Sequence, residues 1–117
     1  MKTIKNIIAK FVGLFKPVFK YKYEDDFPES IKESVIYIIG DKESPWLIAF
    51  KCPCGCSQTI QLNLLKDADP NWKFKLTIQK KINISPSVWR TTGCKSHFFI
   101  RNSKVDWARN RWRFYEN

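Results

Sequence analysis

Apolar positions along the 117-residue chain change their period once, and that change divides it. Ile4, Ile7, Ile8, Phe11, Leu14 and Phe15 recur at helical spacing, with Lys5, Asn6, Ala9 and Gly13 off the stripe, which predicts an amphipathic helix that Pro17 ends. Further on, the pattern is that of strands. SVIYIIG and PWLIAFKC are short apolar runs bounded by Gly40, Asp41 and Pro45, as buried strands are. In TIQLNLL, Ile60, Leu62 and Leu64 alternate with Thr59, Gln61 and Asn63, a half-buried strand closed by the turn Asp67-Ala68-Asp69-Pro70. Trp72, Phe74, Leu76 and Ile78 alternate with Lys73, Lys75, Thr77 and Gln79 before Lys80-Lys81 turn the chain into Ile82 and Ile84. SHFFIR, a turn at Asn102-Ser103 and KVDWA make a last hairpin. The expected fold is therefore mainly β: a small antiparallel hairpin or β-sandwich-like domain with an N-terminal amphipathic helix. Its expected divisions are a basic helical appendage (1–22), an acidic linker (23–34), the β domain (35–108) and a basic aromatic tail (109–117).

Composition adds that the chain folds: 44% of residues are hydrophobic and 15% aromatic, enough apolar area for a core and too much for disorder. Charge adds a partner class. Lys and Arg number 21 against 11 Asp and Glu, a formal net charge of +10 that attracts polyanions or an acidic protein. Lys73, Lys75, Lys80 and Lys81 on one hairpin face, with Arg109, Arg111, Trp112, Arg113 and Phe114 at the end, form a candidate nucleic-acid surface of phosphate contacts and stacking rings. The basic helix suits a membrane surface or a protein partner, but packing on the domain's own sheet is the preferred reading. No apolar stretch approaches the roughly 20 residues of a membrane span. Lys10 interrupts the N-terminal apolar run and no small-residue cleavage site follows it, so the expected location is the cytoplasm.

The candidate chemistry lies in two turns. KCPCGC sets Cys52, Cys54 and Cys56 on alternate positions, with Pro53 and Gly55 shaping the backbone between them. GCKSH sets Cys94 three residues before His97, the one histidine of the chain. Thiolates and imidazole are zinc donors, and two such turns brought together by strands would build a tetrahedral structural site. Five candidates compete for four positions. An iron-sulfur cluster held by three cysteines and His97 is the alternative; a Rieske centre needs two histidines and is excluded. Arg90, Thr91, Thr92 and Lys95 flank the second turn as candidates to support the metal or touch a ligand. No H-E-x-x-H, H-x-E or comparable constellation is present, so a non-catalytic role is expected.

PWLIAFKCPCGCSQTIQLNLL, DADPNWKF and ISPSVWRTTGCKSHFFIRNSKVDWA together resemble the core of a family of small bacterial proteins of unknown function predicted to bind metal. The resemblance covers roughly residues 35–108 and maps the family's presumed ligands onto Cys52, Cys54, Cys56, Cys94 and His97. Members are sometimes encoded beside bacterial ubiquitin-like proteins and E1-like enzymes. The resemblance thus implies an accessory role in ubiquitin-like conjugation or anti-phage defence, with ubiquitin-like or E1/E2-like partners. The resulting expectation is a zinc-stabilised, zinc-ribbon-like protein-interaction module; a nucleic-acid-binding zinc protein and an iron-sulfur redox protein are the alternatives.

Overall fold

Period-two alternation yields eight strands in two four-stranded sheets. The computed structural model describes residues 18–91 and 93–108; the expected helix and the tail carrying Arg109, Arg111, Trp112 and Arg113 lie outside the described residues. The first sheet has the order β1 (Lys20–Glu24), β2 (Val35–Asp41), β3 (Ser44–Lys51), β4 (Thr59–Asn63). The second has the order β5 (Lys73–Leu76), β6 (Ile82–Trp89), β7 (His97–Arg101), β8 (Lys104–Trp107). All neighbours are antiparallel except β1 and β2, which pair in parallel from Lys20↔Val35 to Glu24↔Ile39.

The sheets face each other across one core. Ile36, Ile38, Ile48, Phe50, Ile60 and Leu62 from the first meet Ile82, Ile84, Val88, Phe98, Ile100 and Val105 from the second. Phe50 and Phe98 touch edge to face across the interface with centroids 6.3 Å apart. Burying each such side chain contributes about 1.5–3 kcal/mol. The sheets are also tied by polar contacts around the buried Ser103. Its Oγ accepts from the Ile82 N–H (2.9 Å), its N–H donates to the Ile82 carbonyl (2.7 Å), and its carbonyl accepts from the Phe19 N–H (2.7 Å).

Three details differ from the expected layout. The boundary at residues 22 and 23 falls inside β1, because Tyr21 and Tyr23 alternate with lysines and pack against the core edge. The acidic segment beyond it packs back on the first sheet. Ile31 packs on Tyr37, Ile39, Leu47 and Ala49, the outward face of the first sheet, and Tyr37 Oη accepts from the Lys32 N–H (3.2 Å). Ile78, read as a strand residue, stands in the β5–β6 turn and is 95% exposed. The turn closes earlier than the alternation implies, through Lys80 N–H to the Thr77 carbonyl and Lys81 N–H to Thr77 Oγ1.

Gly40 has φ +119°, and a Cβ there would collide with the Trp46 indole. Gly40→Ala therefore combines left-handed strain with a clash. It is expected to cost about 2 kcal/mol or more, measured as a lowered denaturation midpoint; an unchanged midpoint would contradict the packing described.

Candidate active site and metal centre

The two cysteine-bearing turns meet. β3 and β4 are closed by the pair Lys51↔Thr59, leaving Cys52 to Gln58 as a hairpin loop. Cys52 N–H donates to the Gln58 carbonyl (2.8 Å) and Gly55 N–H to the Cys52 carbonyl (3.3 Å), with Gly55 at φ +91°. Between β6 and β7, Arg90 N–H donates to the Ser96 carbonyl (2.8 Å) and closes the turn that carries Cys94. Cys52 Sγ lies 3.3 Å from Cys54 Sγ and 3.7 Å from Cys94 Sγ, and the four sulfurs of Cys52, Cys54, Cys56 and Cys94 all lie within 4.8 Å of one another.

That spacing suits a metal ion. Sulfurs at about 2.3 Å from zinc in a tetrahedron are about 3.8 Å apart. The surroundings suit it too: Arg90 Nη1 is buried without a hydrogen-bond partner among the described residues, and its guanidinium lies beside Gly93 in the Cys94 turn. A cation in the turn that carries Cys94 fits a centre that carries negative charge when loaded. Thr91 and Lys95 are exposed on the same turn, and Thr92 lies outside the described residues.

The thiols differ in the metal-free chain. Burial pushes Cys52 up to about 12. Hydrogen bonds from the Ser96 hydroxyl and main chain pull the exposed Cys94 down to about 6. For Cys54, burial acts upward, but hydrogen bonds from Ser96, Cys52 and Cys56 together outweigh it and lower the value. Since thiolate is the reactive form, iodoacetamide at neutral pH is expected to modify Cys94 well before Cys52 in chelated protein, as peptide mass mapping would record. Equal rates would contradict this environment.

The fifth candidate ligand, His97, lies outside the sulfur group. It opens β7, and its Nε2 is 2.9 Å from Ser87 Oγ on the neighbouring β6. Its ring is stacked on Trp89, with centroids 4.8 Å apart and planes 11° from parallel, and Nδ1 is withdrawn from solvent. This pairing follows from register. Val88↔Phe98 and Trp89↔His97 are partners, so Val88 and Phe98 face the core while Ser87, Trp89, His97 and Phe99 share the outer face. Ser87 reaches that position through an irregularity between Ile84 and Val88, where β6 spends more residues than β7; bulges of this kind commonly aim side chains at active sites. Asp106 stands on the same face, opposite Phe99, and pairs with Arg101 at 2.9 Å.

Ser87 was not among the residues that the sequence singles out. No nucleophile motif surrounds it, and Pro86 makes its run look like packing or turn. The available signal was that any serine–histidine pair in this chain must use His97. The candidate nucleic-acid lysines Lys73 and Lys75 are exposed along β5, and Lys80 and Lys81 sit at its turn.

The two sites are joined by one dipeptide. Ser96 Oγ lies 3.2 Å from Cys94 Sγ and 3.9 Å from Cys52 Sγ, while the next residue, His97, meets Ser87. The sulfur cluster therefore fixes the end of the hairpin on which the histidine stands.

Residues 23–108, most of the chain, match the family described as "Bacterial ubiquitination-like system serine protease (BubE)". No curated protein and no solved structure matches the chain.

Proposed function

The chain belongs to the BubE family, and from that membership we propose that it is a serine protease acting on protein components of a bacterial ubiquitination-like system, with Ser87 as nucleophile and His97 as general base. The observation that carries this reading is the 2.9 Å contact between Ser87 Oγ and His97 Nε2. His97 stands outside the four-sulfur group, and its Nε2 faces a hydroxyl. The sequence-based expectation of a non-catalytic module gives way in this reading, and its association with a ubiquitin-like system is kept.

With the imidazole proton on Nδ1, Nε2 accepts the Ser87 hydroxyl proton as Oγ attacks the scissile carbonyl carbon. The tetrahedral adduct collapses with cleavage of the C–N bond, and the imidazolium hands its proton to the departing amine. Water then attacks the acyl ester while His97 takes its proton, the ester C–O bond breaks, and Ser87 recovers its hydrogen. One water is consumed; a carboxylic acid and an amine are formed. The Trp89 ring keeps the imidazole in plane and favours its transient positive charge.

Cys52, Cys54, Cys56 and Cys94 would hold the metal, which we assign as zinc on the chemistry of four thiolates. Bound there, it supplies a cross-link between the two turns. Metal analysis of protein purified without added metal tests this assignment: about one zinc per chain is expected, whereas iron with visible absorption would replace it by a cluster.

Digestion of a mixed peptide library, with new termini read by mass spectrometry, tests the activity. The full chain is expected to generate new termini and His97→Ala to generate none. Equal products from both would overturn the assignment, and no products from either would return the chain to the accessory reading.

A further inference from the structure

Between the two sheets' connecting segment and β5, the structure has a cleft of about 350 Å³ lined by Pro45, Leu64, Lys66, Trp72, Lys73 and Phe74. Its origin is topological. The chain leaves the first sheet after β4 and enters the second at β5, and at this crossover Trp72 N–H donates to the Asn63 carbonyl (2.8 Å) while Leu64 N–H donates to that of Trp46 (3.1 Å). The crossing ties the end of β4 to the residue before β5, and the cleft is lined from both sides of that tie.

Three features bear on what this gap can hold. First, its wall is bonded to the nucleophile's own residue: the Trp72 indole Nε1–H donates to the Ser87 carbonyl at 3.3 Å. Whatever fills the cleft lies against the ring that holds the Ser87 main chain. Second, β5 pairs with β6 only from Ile82 to Ser85, so the β6 edge beyond Ser85 is not covered by β5. A peptide passing from the cleft toward Ser87 would follow this stretch, as peptides do along strand edges. Third, the lining has a definite chemistry. Leu64, Trp72 and Phe74 are half-buried apolar walls, whereas Lys66 and Lys73 are exposed cations.

We propose, on the basis of the protease reading above, that this cleft receives the segment of the protein substrate adjoining the scissile bond and selects an apolar side chain neighboured by a carboxylate. The apolar residue fills the space between Leu64, Trp72 and Phe74. The neighbouring acid meets Lys66 or Lys73. Trp72 thereby couples occupancy of the cleft to the position of Ser87.

The test is binding, which does not depend on catalysis. Two fluorescent hexapeptides, one alternating glutamate with leucine and one alternating lysine with leucine, are titrated against the full chain near physiological ionic strength, where remote charges are screened. The glutamate peptide is expected to bind at least tenfold more tightly. Lys66→Glu/Lys73→Glu should reverse that order. Lys80→Glu/Lys81→Glu, with the same net charge but at the far end of the β5–β6 hairpin, should leave it unchanged.

Equal affinity for the two peptides, or an equal effect of both double variants, overturns the subsite because it reduces the preference to bulk charge. Capture of a single-stranded oligonucleotide through Lys66 and Lys73, with neither peptide retained, overturns it as well. The two proposals fail separately. Charge-selective binding of peptides that are never cleaved would keep the subsite and remove the protease; cleavage indifferent to glutamate against lysine would do the reverse.

Discussion

Ser87→Ala is expected to lower kcat/KM for peptide-bond cleavage by about 10⁴-fold or more, with no change in the melting temperature. The size follows from the role. Without Oγ there is no acyl intermediate, and the remaining groups can only orient a water. Stability should be spared because the side chain lies on the half-exposed outer face and bonds only another side chain of that face, through His97 Nε2, among the described residues. Ser85→Ala is the matched control: it stands two residues earlier on β6 and is exposed, so its activity should equal that of the unaltered chain. Steady-state kinetics on a peptide from the library digest, with thermal denaturation of each variant, decide the matter. Substantial activity in Ser87→Ala, or equal losses in both variants, would rule out Ser87 as the nucleophile.

Metal removal is expected to have the second largest effect, on stability and activity together. The four thiols bridge two turns far apart in sequence, which meet through sulfur and hydroxyl contacts. Structural zinc contributes folding free energy outright. Chelation should therefore cost about 3 kcal/mol or more, a fall in Tm of about 10 °C or more. Cys52→Ser should match chelation, because Cys52 is the buried member against which Cys54 and Cys94 are both set. Activity should fall with stability, since Ser96 touches the sulfurs and His97 follows it. Differential scanning calorimetry with and without chelator, then zinc readdition, measures this. A Tm unaffected by chelation in protein shown to have carried zinc would contradict the cross-linking role.

The strands were legible wherever apolar residues alternate or cluster, because a sheet with one face on a core imposes that pattern. β2, β3, β4 and the β7–β8 hairpin lie where the alternation puts them. β1 was less legible. Its tyrosines alternate with lysines over only five residues, and a parallel neighbour needs no hairpin turn between the strands to announce the pairing. The gathering of the thiols could be read from their two turns, since short loops at strand ends converge when the strands stack.

His97 illustrates what spacing alone does not carry. C-x-x-H resembles a ligand pair, but at the start of β7 successive side chains diverge: Ser96 goes to the sulfurs and His97 to the opposite strand. Ser87 is the complementary case. Its partner is ten residues away in the chain and depends on the register of β6 and β7 and the irregularity at Ile84 to Val88. Such a contact exists only once the sheet is assembled, so the local run SPSVW has no mark of it.

The most direct test of the central claim, that Ser87 is activated by His97, is reaction of the zinc-loaded full chain with a fluorophosphonate followed by peptide mapping. A single adduct on Ser87, absent in His97→Gln, is the predicted result. No adduct at saturating reagent, or an adduct on another serine that persists in His97→Gln, would contradict it.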